Sequence, residues 1–327
     1  MANEEFIQCR LCPRGCVLSE GQRGNCRVRI NSGGKIKTLV YGKPCAVHID
    51  PIEKKPMYHM YPATKVFSIG TAGCNLHCKY CQNWEISQSP PEKTNNYDMS
   101  PEEAVKQALE RGCRSIAYTY NDPVVFYEYM FDTAKIARRR GLKNVCVTAG
   151  YINSEPLSEL CDFLDGVKVD LKAMSDEFYR NVCFGELRPV LETLKTLKER
   201  KVWTEIVYLI VPTLNDARED LEKLIDWILD NMGPETPLHF SRFWPQYQLK
   251  NLPPTPIETL DMAWQMAREK GLNYAYVGNV AEHPGNNTYC PKDGKLLIKR
   301  VGYSILEYNI ASGKCKFCGN RIPGLWE

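Results

Sequence analysis

The sequence predicts an α/β fold built on a parallel sheet, and three observations predict it. Short apolar, β-rich runs recur at residues 65–69, 115–120, 144–148, 167–171, 202–211, 238–243 and 274–277. Between them lie stretches with helical apolar spacing, among them 219–229 and 259–269. The chain has 327 residues, enough to bury one large core with small appendages. Strands that alternate with helices are joined by crossovers, so the sheet is parallel and either open or closed into a barrel.

Taken in order, residues 27–41 read as a β-hairpin turning at Asn31-Ser32-Gly33-Gly34. The run at 65–69 opens the alternation. Ser100-Pro101-Glu102-Glu103 then starts a helix with a capping hydroxyl, a proline at the first helical position and a glutamate placed for a capping box. Gly112 closes that helix. The run at 274–277 either ends the sheet or flanks it. Leu252-Pro253-Pro254-Thr255-Pro256 reads as a connection into the next helix, and no repeat or low-complexity tract interrupts the chain.

Charge is nearly balanced, with 42 basic and 39 acidic residues, so nothing calls for an acidic polymer as partner. Arg138-Arg139-Arg140 and Lys299-Arg300 read as solvated faces, not as nucleic-acid grooves. No apolar stretch approaches the roughly 18–20 residues of a membrane span. The start, Met1-Ala2-Asn3-Glu4-Glu5, is acidic and lacks an apolar signal region. The 15 cysteines therefore read as metal sites in a reducing, cytoplasmic setting and not as disulfides.

Three cysteine groups carry the chemistry. Cys74-x3-Cys78-x2-Cys81 follows an apolar strand. Three thiolates on one loop can hold three irons of a [4Fe–4S] cube and leave the fourth iron open to chelate a small molecule. A structural zinc loop normally closes with two ligand pairs, whereas here no fourth Cys follows and His77 lies inside the loop. Cys9-x2-Cys12-x3-Cys16 with Cys26 is a complete four-thiolate set. It suits zinc or an auxiliary [4Fe–4S] cluster; thiolate count does not separate them, and the reading leans to zinc. Cys290 and the pair Cys315 and Cys318 look like two zinc-ribbon knuckles joined by a hairpin, with Asp293 where the first knuckle would carry its second Cys. Zinc there would brace the C-terminal segment; the alternatives are completion by Cys45 from afar or a ribbon without metal. Cys113, Cys146, Cys161 and Cys183 read as small buried apolar residues.

The run from Gly73 to Gln88, Gly-Cys-Asn-Leu-His-Cys-Lys-Tyr-Cys-Gln-Asn-Trp-Glu-Ile-Ser-Gln, resembles the radical S-adenosylmethionine (SAM) superfamily and, within it, the pyruvate formate-lyase activating-enzyme branch. The segments Asp50-Pro51-Ile52-Glu53-Lys54-Lys55-Pro56, Tyr118-Thr119-Tyr120-Asn121-Asp122-Pro123 and Pro237-Leu238-His239-Phe240-Ser241-Arg242-Phe243 narrow this further. With them the chain is similar to the AmmeMemoRadiSam system radical SAM enzyme family. The resemblance implies a partial (βα)6 TIM-like radical SAM barrel over residues 63–284. A Cys-rich extension with a β-hairpin would occupy 1–62, and a zinc-ribbon-like extension 285–327.

The resemblance also implies cofactors, partners and roles. Cys74, Cys78 and Cys81 would hold a [4Fe–4S] cluster that, once reduced by an electron donor, cleaves SAM. The 5′-deoxyadenosyl radical would abstract hydrogen from an unidentified substrate, with Memo-like and AMME-type proteins as partners. Tyr80 sits where the family carries an aromatic near cluster and adenine. Asn121 and Asp122 stand in the segment that receives the SAM ammonium, although the family's two glycines are replaced here. Asp170-Leu171-Lys172 resembles an Asp-x-Lys segment: Lys172 would neutralise the SAM carboxylate, and Asp170 would bind ribose, a cation or the Lys. His239 aligns with a His that contacts SAM. The residues alone also allow an Asn-Asp-Pro turn, a structural salt bridge and a satisfied core histidine. Two further functions stay open: an activase for a glycyl-radical enzyme, and a non-enzymatic iron–sulfur and zinc scaffold that relays electrons or binds nucleic acid.

Overall fold

In the computed structural model, which describes residues 6–326, one eight-stranded sheet organises the chain. Its strands are β1 (Ala46–Pro51), β2 (Lys65–Gly70), β3 (Ser115–Tyr118), β4 (Lys143–Thr148), β5 (Gly166–Asp170), β6 (Trp203–Ile210), β7 (Leu238–Arg242) and β8 (Ala275–Gly278). Their order across the sheet follows their order in the sequence. From β2 to β8 every neighbour is parallel, and β1 lies antiparallel on the free side of β2. A helix fills each crossover: α1 (Pro101–Glu110), α2 (Tyr127–Arg139), α3 (Ser154–Cys161), α4 (Leu187–Glu199), α5 (Arg218–Asn231) and α6 (Ile257–Glu269). The sixfold strand–helix alternation is therefore present, and the run at 274–277 becomes a seventh parallel strand in the same sheet. No pairing joins β1 to β8 among the described residues, so hydrogen bonding leaves the sheet open.

The sequence explains these elements locally. All four residues of β3 are buried, as a parallel strand covered by helices requires. In α5, Leu221, Leu224, Ile225 and Ile228 form the buried stripe; in α6 it is Leu260, Ala263, Met266 and Ala267. Ser100 caps α1 by accepting the Glu103 N–H at 3.2 Å, and Gly112 beyond the helix has φ +66°. The expected hairpin is Arg29–Asn31 against Ile36–Thr38. Strand β1 carries no clear apolar alternation; it is an edge strand ending in Pro51, where a missing N–H costs no ladder bond.

Beyond β8, Thr288–Tyr289, Leu296–Val301 and Ser304–Tyr308 form a three-stranded antiparallel sheet. Its Leu297 and Ile298 share a core with Ile310, Ile322, Tyr58 and, from the strand side, Tyr274 and Tyr276. Arg300, read from the sequence as part of a solvated face, is instead buried there, 4.0 Å from the centre of the Tyr58 ring, and donates to Thr288 Oγ1 at 2.8 Å. Among the described residues no helix is long and apolar enough to cross a membrane. The acidic start Met1 to Glu5 lies outside the described residues.

Candidate functional site

Strand β2 delivers the chain to the Cys74 loop, and two glycines set its path. A Cβ on Gly70 would meet Thr119 O at 2.5 Å, and one on Gly73, at φ +81°, would meet Cys26 O at 2.4 Å. Asn121 then clamps the loop, accepting from Thr71 N–H at 3.3 Å and donating to Gly73 O at 2.6 Å. The N–H groups of His77 and Lys79 donate to the carbonyls of Cys183 and Val182, both at 3.0 Å. Ser87 Oγ lies 3.2 Å from Cys81 Sγ, and Tyr80 OH lies 3.4 Å from Cys183 Sγ. Burial pushes the thiols of Cys74 and Cys81 above the ordinary range. Such thiols stay protonated until a metal draws the proton off.

The facing wall comes from β5. Asp170, at its end, bridges two ammonium groups: Lys168, and Lys172 at 3.0 Å. Burial alone would raise the Asp170 carboxyl, but the two lysines hold it at about 2. Lys172 is driven upward against the effect of burial by Asp170, Cys78 and Cys183, so a fixed positive charge stands beside the cysteine loop. Tyr179 OH accepts the Lys172 N–H at 3.0 Å, which ties this turn to the next helix. Asp122 is buried; it accepts from Thr148 Oγ1, Ala149 N–H and Val124 N–H at 3.0, 3.0 and 3.1 Å. Burial raises its carboxyl.

The structure thus brings Cys74, Cys78, Cys81, Tyr80, Asp122, Asp170 and Lys172 into one group, with Asn121 holding the loop. Both side chains of the Asn121-Asp122 pair are engaged in holding backbone. His239 belongs to a second polar cluster. It is the second residue of β7 and is 2% exposed, with Nε2 2.7 Å from Glu205 Oε2 and its ring stacked on Tyr276 at 4.9 Å. Glu205 also accepts from the N–H groups of Tyr58 and His59 at 2.9 and 2.8 Å. Burial would raise it, yet these partners, His239 foremost, hold it at about 2.

Several residues escaped sequence reasoning. Cys183 is buried as expected, but its thiol contacts the loop tyrosine and interacts with Cys78. No spacing rule links it to the motif, because a separate helical turn delivers it. Glu205 and Lys168 sit inside apolar strands, where a single charge gives no periodic signal. Asp50 gathers Lys54, Lys55 and Tyr120 OH at 2.9, 2.5 and 2.8 Å, and burial pushes Lys55 down to about 8.

The two terminal cysteine groups differ. Cys290, Asp293, Cys315 and Cys318 present ligand atoms that all lie within 4.8 Å of one another. Cys290 Sγ is 3.6 Å from Cys318 Sγ, and Cys315 Sγ is 3.9 Å from Asp293 Oδ2. Cys45 is elsewhere, its N–H on Gly70 O at 2.9 Å, so the alternative of completion from afar fails. Cys9, Cys12, Cys16 and Cys26 line one cavity together with Leu11, Arg29, Asn75 and Val124.

The sequence model of the Radical SAM superfamily matches residues 68–228. An uncharacterized protein of Methanocaldococcus jannaschii is 48% identical over 322 residues, covering 98% of this chain and 96% of its own length. Pyruvate formate-lyase 1-activating enzyme of Escherichia coli K12 is 23% identical over 218 residues, covering 62% of this chain and 86% of that enzyme. A radical SAM methyltransferase structure from Sphaerobacter thermophilus superposes with a TM-score of 0.56 at 14% identity, covering 90% of this chain and 81% of that one. At that identity the likeness speaks for the fold alone.

Proposed function

The chain belongs to the Radical SAM superfamily, and from that premise we propose that Cys74, Cys78 and Cys81 hold three irons of a [4Fe–4S] cluster whose open iron takes SAM. The donor set fits: three thiols on one backbone-clamped loop, with a permanent ammonium group beside it. When bound, the cluster and SAM supply the reductive cleavage that gives a 5′-deoxyadenosyl radical. The residues of this chain bind, orient and exclude water. Lys172 would pair with the SAM carboxylate, with Asp170 holding Lys172 in place and serving the ribose. Tyr80, buried against Cys183, would pack beside the cluster. Asn121 and Asp122 act at the ammonium end mainly through the backbone that they hold, and Glu205 orients the ring of His239. The partial barrel at 63–284 carries the site, with 1–62 and 285–327 as extensions in a reducing, cytoplasmic setting. The C-terminal group holds zinc.

The observation that carries this reading is Lys172, held by Asp170, facing the three-cysteine loop. That chemistry would remove a hydrogen from a substrate shared with Memo-like and AMME-type partners. Likeness to the E. coli activating enzyme favours a second reading, in which that hydrogen comes from a backbone glycine of a partner enzyme. The test is anaerobic: reconstitute the cluster, reduce it, add SAM, and quantify 5′-deoxyadenosine with and without each partner. Product is expected, and Cys74→Ala, Cys78→Ala or Cys81→Ala should each abolish it. Undiminished cleavage in those variants would overturn the assignment.

A further inference from the structure

We propose that Cys9, Cys12, Cys16 and Cys26 hold a second [4Fe–4S] cluster, distinct from the one on the Cys74 loop. Thiolate count does not separate zinc from a cube, and against the lean to zinc stands the placement of the groups around these thiols. All four line a single cavity, with apolar walls from Leu11, Val124 and Val125. Tetrahedral zinc draws its sulfur ligands to about 3.8 Å apart, given Zn–S bonds of about 2.3 Å. The C-terminal group already has that compactness, with two sulfurs at 3.6 Å. Among the described residues, no three of the four N-terminal cysteines, and not the trio Cys74, Cys78 and Cys81, bring their ligand atoms within the 4.8 Å that the C-terminal group shows. A cube seats each thiolate on its own iron and keeps the thiolates spread.

Arg29 supplies the second, independent observation. It is 7% exposed and lines the cavity, and its two terminal nitrogens bond Glu128 at 2.8 and 2.7 Å. Its Nε is buried without a partner. A buried N–H left unpaired is costly, and a cluster sulfide or thiolate is the acceptor that this cavity would supply. The guanidinium also offsets part of the negative charge of four thiolates. Backbone donors follow the same pattern: Asn25 N–H lies 3.5 Å from Cys16 Sγ.

The cavity shares a wall with the first site. Asn75, the residue after Cys74, is 1% exposed and lines the cavity beside Cys12, with its side-chain N–H donating to Tyr151 O at 2.7 Å. On the other side, Cys26 O sits where any Gly73 side chain would be. The second cluster would lie within a residue or two of the first.

The test uses the full chain, reconstituted anaerobically with iron and sulfide and assayed for iron, sulfide, zinc and the electron paramagnetic resonance signal after reduction. The wild type should hold about eight irons, two cubes of four. Combined Cys74→Ala, Cys78→Ala and Cys81→Ala should leave about four irons and a reduced-cube signal. Cys12→Ser with Cys16→Ser should likewise halve the iron. In the triple variant, Arg29→Lys keeps the charge, removes Nε–H and should lower the midpoint potential of the remaining cluster. Zinc without iron in the triple variant, or no metal at all, overturns the proposal. Should that variant fail to fold, a wild type whose iron is unchanged by Cys12→Ser with Cys16→Ser overturns it instead. If the wild type holds only about four irons, and these are lost with Cys12 and Cys16 but not with Cys74, this proposal stands and the reading of the Cys74 loop falls.

Discussion

The two ends of the chain each bring cysteines together, and they do so at different radii. At the C-terminal end, two hairpin knuckles press three thiols and the Asp293 carboxylate into a space that suits one ion. At the N-terminal end, four thiols line a cavity with no three of them gathered that closely, next to an arginine N–H that lacks a partner. The sequence shows four candidate ligands in both places. What separates them is whether short β-turns gather the ligands closely or a loop leaves them lining a shared cavity. Ligand count sets the charge of a site, whereas backbone geometry sets the size of what it can hold.

Exposure to air should break the symmetry most strongly. Iron–sulfur cubes degrade under oxygen, whereas zinc has no redox chemistry. Protein purified aerobically should therefore lose the iron of both cysteine loops and keep about one zinc per chain at the C-terminal group. Metal analysis before and after anaerobic reconstitution checks this. Zinc at about two per chain would erase the contrast.

Removing a C-terminal thiolate comes next. Cys315→Ser should release the zinc and uncouple a core shared by Leu297, Ile298, Ile310 and Ile322. The expected loss is about 3 kcal/mol or more, since binding energy at a structural zinc site is folding energy. Denaturant unfolding with and without a chelator measures it. A smaller effect sharpens the comparison further. Asp293→Cys should slow zinc transfer to a chelator and Asp293→Ala should speed it, because thiolate suits this metal better than carboxylate. Equal rates in all three proteins would mean that Asp293 is not a ligand.

Much of this architecture was legible before the structure. The seven apolar runs became β2 to β8, because strands buried on both faces show as unbroken apolar segments. The hairpin at 27–41 and the cap at Ser100 were readable because turn and cap chemistry is local. Strand β1 was not, since an edge strand needs no alternation. Of the candidate site, the cysteine loop, Tyr80, Asp170 and Lys172 were readable from motif as candidates, and the structure sets them near one another. Cys183 and Glu205 were not, because their roles depend on which side chains the folded sheet sets opposite them. His239 shows the limit of a motif: the position was recognisable, but its partner Glu205 lies 34 residues away on another strand.

The smallest expected effect concerns the anchor between the C-terminal tail and the sheet. His59 donates from Nδ1 to Pro323 O at 2.7 Å, so its Nε2 must accept from Tyr276 OH at 2.6 Å, and the ring is held neutral. Burial pushes His59 down to about 4 from the ordinary 6.5. A histidine with a lowered folded pKa binds its proton more readily unfolded, so stability falls as pH drops from 6.5 toward 4. Between pH 7 and pH 5 this residue alone should cost about 2 kcal/mol. His239, also lowered by burial, adds to the same slope. Glu205 does not, because a carboxyl held at about 2 loses its contribution only below its ordinary 4.5. Zinc release in acid acts in the same direction, so His59→Gln must be compared with the wild type at equal zinc content. The variant should be less stable at pH 7 and show a shallower decline to pH 5 in denaturant unfolding. An unchanged slope would mean that the tail is anchored by the metal knuckles alone and that His59 only fills space beneath it.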